Sequence, residues 1–151
     1  MVAVGRDRAL DRGVSGVLWA AGDAERLPLP SACADLVTIS FGLRNVTDRL
    51  AALRDMRRVL KPGGRFFCLE FSRVNDAALR TLDDRYSFAV IPKLGKATTG
   101  DAESYQYLVE SIRQFPTQPE LADMMSSAGF DRVGWRDMTQ GVVAVHRGWR
   151  L

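Results

Sequence analysis

The sequence predicts an α/β domain with a mostly parallel sheet that ends in an antiparallel hairpin. Two observations predict this class. Apolar and β-branched runs at residues 35–40 and 65–71 flank a stretch of helical periodicity, which is the order of a βαβ unit and requires parallel strands. The last two segments, 130–138 and 141–149, alternate like two strands joined by a short polar link. With 151 residues, of which 46% are hydrophobic, the chain fits one globular domain.

The βαβ unit is the most clearly marked part of the chain. Thr47 and Asp48 are natural N-caps. One apolar face then recurs at three- and four-residue intervals, formed by Leu50, Leu53, Met56, Val59 and Leu60. The Lys61-Pro62-Gly63-Gly64 stretch ends this helix in a tight turn, because proline fixes φ and glycine accepts a positive φ. The strand that follows is apolar on both faces, which predicts helices on both sides of the sheet.

The remaining elements are predicted from shorter signals. The apolar run Val17–Ala20 predicts a further buried strand, and it precedes a loop in which two prolines exclude a helix. An amphipathic, aromatic stretch and the helix after it, residues 76–115, predict a helical insertion. Thr117 to Glu120 has the spacing of a capping box, and Gly129 is well placed to end the helix that follows.

Composition excludes several classes of protein. Two cysteines and the single His146 predict neither a disulfide framework nor a metal site. Only three of the 21 basic residues are lysines, and the arginines alternate with acids, so we expect no clustered face for nucleic acid. No apolar stretch approaches the roughly 20 residues of a membrane-spanning helix. We also read no targeting signal at the N-terminus.

Candidate ligand contacts follow the predicted strands, because doubly wound sheets bind ligands beyond the carboxyl ends of their strands. After the first strand, the Asp23 carboxylate can accept hydrogen bonds from an amine or hydroxyl, and the backbone amide of Ala24 can donate to a ring nitrogen. A merely solvated acidic loop is the alternative. After the third strand comes Glu70, for which we expect a charge that meets water.

The loop after the second strand, residues 40–45, is the richest in functional groups. It collects the hydroxyl of Ser40, the guanidinium of Arg44 and the amide of Asn45 around a permissive glycine. The alternative is a structural loop whose Arg44 pairs with a nearby carboxylate.

Several stretches of the chain look like those of one known family. They are residues 39–48 (ISFGLRNVTD), 58–65 (RVLKPGGR), 69–72 (LEFS), 86–88 (YSF), 107–113 (YLVESIR) and 141–146 (GVVAVH). On these stretches the chain resembles the UbiE/MenG methyltransferases of ubiquinone and menaquinone synthesis, over essentially all 151 residues. FGLRNVTD together with YxYLVESIR is highly specific to this family, whereas KPGG alone is shared by many methyltransferases.

The resemblance implies the C-terminal portion of a Rossmann-like class I methyltransferase fold. The family sheet has the strand order 3-2-1-4-5-7-6, and this chain matches strands 3–7 as a single incomplete domain over residues 1–151, with the insertion at 76–115 as a substrate cap. Strands 1 and 2, which carry the glycine-rich cofactor loop and an acid for the ribose, are missing. The 13 glycines contain no G-x-G pair.

The activity that the resemblance implies is transfer of a methyl group from S-adenosylmethionine to a ring carbon of a polyprenylated benzoquinol or naphthoquinol. By position, Asp23 and Ala24 would meet the adenine end of the cofactor and Ser40 its methionine end. Arg44 and Asn45 match the loop assigned to substrate activation. A further implied set lines a path for the isoprenoid tail, with core packing as its alternative: Tyr86, Phe88 and Ile91.

Two interpretations from different classes remain open. The chain is either an enzyme represented in part, which we favour because Ser40, Arg44 and Asn45 are retained together, or a shortened, non-catalytic paralogue that acts as a partner subunit. The partners that the resemblance allows are a polyprenyl quinol, a quinone-biosynthesis complex, a membrane surface and a second copy of the chain. The corresponding location is the inner-membrane face of a bacterial cytoplasm or of a mitochondrial matrix.

We predict that the isolated chain binds S-adenosylmethionine poorly, because the glycine-rich loop is missing and strand 4 is left with an open edge of unpaired backbone groups. Isothermal titration calorimetry measures this affinity directly. A micromolar dissociation constant would contradict the prediction and show that the adenine-side residues suffice.

Overall fold

The computed structural model describes residues 2–72 and 102–151. Within these ranges the chain forms four α-helices and four strands. The helices are α1 (Val2–Asp11), α2 (Arg49–Val59), α3 (Ala102–Arg113) and α4 (Gln118–Ser127). The strands are β1 (Ala34–Ser40), β2 (Leu60–Phe71), β3 (Asp131–Met138) and β4 (Val143–Trp149), and short 3-10 turns cover Leu43–Asn45 and Thr139–Gly141.

The four strands form one sheet in the order β1-β2-β4-β3. β1 and β2 run parallel, and α2 makes the crossover that a parallel pair requires. β4 lies antiparallel between β2 and β3, so the last two strands need only the 3-10 turn between them. The predicted α/β class, the βαβ unit and the terminal hairpin are confirmed.

α2 forms because both its cap and its buried face suit a helix. The Asp48 side chain accepts a hydrogen bond from the backbone N–H of Ala51 at 2.9 Å, which satisfies one of the free donors of the first turn. One face of the helix is buried, formed by Ala52, Leu53, Met56 and Val59. The helix ends at Val59 and β2 begins at once with Leu60, so Lys61–Gly64, predicted as a turn before the strand, lies inside it. These residues form an irregularity in the pairing with β1, where Gly63 adopts a φ of +81°.

The core lies on one face of the sheet, beneath α2 and α4. Phe66 and Cys68 of β2 are fully buried there, and the Phe66 ring stacks on Phe130 with ring centroids 5.0 Å apart. The opposite face is less covered, since Phe67 is half-buried and Leu36 is 54% exposed. The expectation of helices on both faces is therefore met on one face only within the described residues, although the strand is apolar on both.

α4 begins and ends as its sequence predicts. The Glu120 carboxylate accepts from the backbone N–H of Thr117 at 2.7 Å, in the reciprocal arrangement of a capping box. Leu121 and Met125 face the core and are fully buried. After the helix, Gly129 takes a φ of +95°, the left-handed conformation common just beyond a helix C-terminus.

The predicted strand Val17–Ala20 does not form. This segment has no strand conformation, and the side chain of Leu18 is 98% exposed. A strand exists only through hydrogen bonds to a neighbour. In the expected order, strands 1 and 2 separate this segment from β1, and neither lies in the described residues. The prediction was wrong because the side chains of this run suit a strand, but no neighbouring strand is there to pair with it among the described residues.

Part of the predicted insertion lies outside the described residues. α3 (Ala102–Arg113) forms the described part of it. The segment that precedes α3, with Tyr86, Phe88 and Ile91, falls in the range 73–101 and is not described. Within the described ranges, no helix has the length and apolar character required to cross a membrane.

The loop before β1 is held against α2 by two paired side chains of that helix. Arg58 and Asp55 form a bidentate pair, with N···O distances of 2.7 and 3.0 Å. Asp55 also accepts from the backbone N–H of Leu27 at 2.7 Å, and Arg58 donates to the carbonyl oxygen of Leu29 at 2.8 Å. The hydrogen bonds from Arg58 are the main cause that lowers the pKa of Asp55, while burial opposes them.

We predict that Asp55→Asn destabilises the chain at pH 7 and that the difference from the parent disappears in acid. Because the pKa of Asp55 is lowered on folding, its contribution is present above the unfolded-state pKa of about 3.9 and is lost as the pH falls through the folded-state value. Urea denaturation between pH 7 and pH 3 measures this. Asp35→Asn is the control, since that side chain is 84% exposed. Equal losses of unfolding free energy in both variants at pH 7 would contradict the role of Asp55 in holding the loop.

Arg150 caps the C-terminal end of α2. Its Nη1 donates to the carbonyl oxygen of Arg58 at 2.8 Å and also to that of Leu60. A cation at a helix C-terminus meets the negative end of the helix dipole and satisfies the last carbonyl groups.

We predict that Arg150→Met lowers the free energy of unfolding by about 1–2 kcal/mol, the range for loss of charged hydrogen bonds to backbone carbonyls. Chemical denaturation at neutral pH gives the value. Arg54→Met is the matched control on the exposed side of α2, and we expect a change within about 0.5 kcal/mol for it. A similar loss in both variants would rule out a specific cap.

Candidate functional site

The candidate site lies at the edge of the sheet where the two parallel strands, β1 and β2, both end. Ser40 is the last residue of β1 and is exposed. The chain then turns through Phe41, with a φ of +52°, into the 3-10 turn. Leu43 anchors this turn because its side chain is completely buried in the core. The loop is therefore held by packing, and its polar residues are held at the edge of the sheet.

Arg44 is restrained on several sides. Its Nη1 lies 3.6 Å from Oε2 of Glu70 and also donates to the carbonyl oxygen of Phe41. Its Nε donates to the Ser111 hydroxyl at 3.3 Å, and its guanidinium carbon lies 5.9 Å from the centre of the Phe71 ring. Only 12% of the Arg44 side chain is exposed. The guanidinium is thus a fixed cation at the rim of the sheet, not a mobile surface charge.

Glu70 is the carboxylate that balances Arg44, and the expectation that it meets water was wrong. Its side chain is 2% exposed. It accepts from the backbone N–H of Arg44 and from that of Phe71, each at 3.2 Å. Burial raises the pKa of Glu70, and the hydrogen bond and charge of Arg44 oppose that shift. The pairing of Arg44 with a nearby carboxylate, which the alternative interpretation expected, is observed.

Periodicity in β2 was the signal that identifies Glu70. Phe66, Cys68 and Glu70 alternate along the strand, so they point to the same side of the sheet. Since Phe66 and Cys68 are core residues, a carboxylate two positions further on is also directed inward. A buried carboxylate requires a partner, and the neighbouring strand leads directly to Arg44.

Asn45 is joined to α3. The Tyr107 hydroxyl donates to Oδ1 of Asn45 at 3.1 Å, and the Tyr107 ring is 57% exposed. Ser111 lies one helical turn further along α3, is buried, and donates to the carbonyl oxygen of Leu108 at 2.9 Å. The sequence predicted this helix and its motif, but the contacts of Tyr107 and Ser111 with the loop were missed.

The Asp23 loop lies beside this region. Oδ1 of Asp23 accepts from the backbone N–H of Glu25 at 2.9 Å, and Ala24 packs against the edge of the core. The Glu25 carboxylate in turn accepts from the backbone N–H of Asp48 at 2.8 Å. Within residues 2–72 and 102–151, no hydrogen bond joins Asp23 to the loop after β1. The two loops are held at the same end of α2 through Glu25.

His146 lies apart from the site, in the sheet. It is 2% exposed, and its Nε2 is 2.9 Å from the carbonyl oxygen of Gln118. Burial lowers its pKa. These surroundings fit a structural role for His146.

The arrangement is suited to stabilising a negative charge. A cation and a primary amide lie side by side at the rim, while the nearest carboxylate is buried behind them. Fixed donors of this kind favour an oxyanion at the position they face, because little reorganisation is needed when the charge appears.

Two solved structures of methyltransferases share this fold. A SAM-dependent methyltransferase from Aquifex aeolicus superposes with a TM-score of 0.67 at 14% identity, covering 99% of this chain and 63% of that one. A SAM-dependent methyltransferase from Thermotoga maritima, described as a possible histamine N-methyltransferase, also gives 0.67, at 22% identity over 100% of this chain and 69% of its own. These likenesses establish a Rossmann-like class I methyltransferase fold for the chain.

Sequence relatives are closer. The UbiE ubiquinone/menaquinone biosynthesis C-methyltransferase of Acidiphilium cryptum is 53% identical over 152 residues, which cover all of this chain and 61% of that protein. The mitochondrial 2-methoxy-6-polyprenyl-1,4-benzoquinol methylase of Mus musculus is 53% identical over all of this chain and 46% of its own length. The UbiE protein of Pseudomonas putida is 57% identical over 98% of this chain and 58% of its own.

The chain thus spans about half the length of the curated relatives it matches. The model of the ubiE/COQ5 methyltransferase family matches residues 1–150. Since the match extends over nearly the whole sequence, and the fold agrees with it, the chain belongs to the ubiE/COQ5 methyltransferase family.

Proposed function

We propose that this chain forms the substrate-activating part of an enzyme that transfers a methyl group from S-adenosylmethionine to a ring carbon of a polyprenylated benzoquinol or naphthoquinol. The observation that carries the proposal is the restrained Arg44 guanidinium, with Asn45 next to it, at the carboxyl end of the parallel strands. Relatives named for C-methylation in ubiquinone and menaquinone synthesis support the substrate class.

The chemistry of a quinol explains why these two residues suit the task. A ring carbon becomes a competent nucleophile only as a ring hydroxyl loses its proton, and a nearby cation stabilises the resulting phenolate. An arginine stays protonated in proteins, so Arg44 is a poor base and a good electrostatic partner. Asn45 adds a neutral hydrogen-bond donor beside it. We assign both to stabilisation of the phenolate oxygen, with water receiving the proton.

Cofactor contacts are proposed for Asp23, Ala24 and Ser40. The donor and acceptor set fits an adenine: the Asp23 carboxylate is exposed, and no acceptor within the described residues takes the backbone N–H of Ala24. Ser40 offers a hydroxyl at the end of β1 for the methionine end. When bound, S-adenosylmethionine supplies the methyl group as a sulfonium. The residues of this chain orient it and place the quinol carbon against it.

The tail of the quinol and the location of the enzyme complete the proposal. We assign the isoprenoid path to Tyr86, Phe88 and Ile91, which lie outside the described residues. A lipid-tailed substrate requires contact with a membrane surface, at the cytoplasmic face in bacteria or the matrix face in mitochondria. Assembly with a second copy or with other quinone-biosynthesis proteins is proposed on the same family grounds.

A chimera tests the function. The matched 152 residues of the Acidiphilium cryptum relative are replaced by this chain, and transfer of labelled methyl from S-adenosylmethionine is measured with a short-tailed 2-methoxybenzoquinol and with a short-tailed naphthoquinol. We expect transfer to at least one quinol. A folded chimera that binds the cofactor but methylates neither would reject the proposal and favour the non-catalytic paralogue.

We predict that Arg44→Met in this chimera lowers kcat by about 100- to 1,000-fold, the range for loss of one preorganised donor to a developing oxyanion. Affinity for S-adenosylmethionine should change little, because Arg44 faces the substrate side. Arg54→Met is the control and should retain the kcat of the parent. If Arg44→Met weakened cofactor binding and left kcat intact, the role assigned to Arg44 would be incorrect.

A further inference from the structure

We propose that Ser111 and Tyr107 of α3, together with Glu70, are positioning residues that orient Arg44 and Asn45 for the phenolate. The inference rests on the proposed function and extends it to residues that do not touch the substrate. It assigns to the inserted helix a second role, beyond covering the site, as the support of the activating pair.

The first step is the spacing of the contacts. Tyr107 and Ser111 are four residues apart, so they lie on the same face of α3. Tyr107 donates to Asn45 at 3.1 Å, and Ser111 accepts from the adjacent residue, Arg44, at 3.3 Å. One face of α3 therefore forms hydrogen bonds with two consecutive residues of the loop. The stretches FGLRN and YLVES, which are far apart in sequence, meet at this point.

The second step is the set of donors that remains on Arg44. Its Nε is occupied by Ser111, and its Nη1 by the Phe41 carbonyl and Glu70. Within the described residues, no acceptor takes Nη2. Nη2 is therefore the nitrogen that can donate to an oxygen of a bound substrate. Because the guanidinium is planar, the contacts of Nε and Nη1 also fix the direction in which Nη2 points.

The third step concerns the amide of Asn45. Because the Tyr107 hydroxyl donates to Oδ1, the carbonyl side of this amide is turned toward α3. The Nδ2 group then faces away and presents N–H donors. Arg44 and Asn45 together offer only donors, which suits an ionised oxygen better than a neutral hydroxyl that must also donate. The orientation imposed by α3 thus selects the reactive form of the quinol.

Glu70 offsets the free energy cost of burying the charged guanidinium of Arg44. A guanidinium that is 12% exposed needs a compensating charge, and Glu70 provides it from the end of β2. Burial raises the pKa of Glu70, and the backbone donors of Arg44 and Phe71 hold the carboxylate in place. Its removal would leave Arg44 charged and largely buried without a compensating carboxylate.

Double-mutant cycles in the chimera test the inference. We expect Tyr107→Phe and Ser111→Ala each to lower kcat about 3- to 10-fold, the effect of one hydrogen bond, with KM for the quinol and cofactor affinity nearly unchanged. Tyr107→Phe removes only the hydroxyl of an exposed ring, so the fold is retained. In an Asn45→Ala background, Tyr107→Phe should not lower kcat further. In an Arg44→Met background, Ser111→Ala should not lower kcat further either.

The controls separate this inference from the proposed function. Gln106→Ala changes a neighbouring exposed residue of α3 and should leave kcat at the parent value, and Ser111→Thr should restore activity because it retains the hydroxyl. Additive effects in the cycles would overturn the positioning role while leaving the proposed function intact. If Arg44→Met and Asn45→Ala themselves kept full activity, the proposed function would fail first.

Discussion

The buried pairing of Arg44 with Glu70 is the interaction on which the candidate site depends. It joins the ends of two parallel strands, and it keeps a cation in a position where water is largely excluded. A surface ion pair would contribute little, because solvent screens it. Here the carboxylate is held by backbone donors, so the guanidinium is fixed in direction as well as in position. The geometry of the site is thus set by β2 as much as by the loop that carries the arginine.

α2 organises what surrounds that pair. Its N-terminal end receives the Asp23 loop through Glu25, and its middle holds the same loop through Asp55 and Arg58. Its C-terminal end is closed by Arg150 from the last residues of the chain. Several arginines that look like surface charge in the sequence therefore act as bridges between distant segments. Part of the arginine-rich composition is explained by these contacts, because one planar guanidinium can donate to several backbone carbonyl groups at once.

The sequence predicted the parts of the fold that local signals determine. The cap at Asp48 and the helical periodicity after it each specify structure within a few residues, as do the capping box and the hairpin. Val17–Ala20 failed because a strand depends on a neighbour that its own residues cannot reveal. At the candidate site, the polar loop residues could be named from the sequence, but Glu70 was misjudged because its partner lies 26 residues away. Ser111, 67 residues from Arg44, was missed for the same reason.

The outer side of β1 has a practical consequence. Its backbone donors and acceptors on that side meet no strand among the described residues, and Leu36 beside them is more than half exposed. Such an edge is a template for strands of other molecules. Concentrated preparations of the isolated chain will therefore tend to self-associate, and a short peptide able to add one strand would act as a solubilising agent.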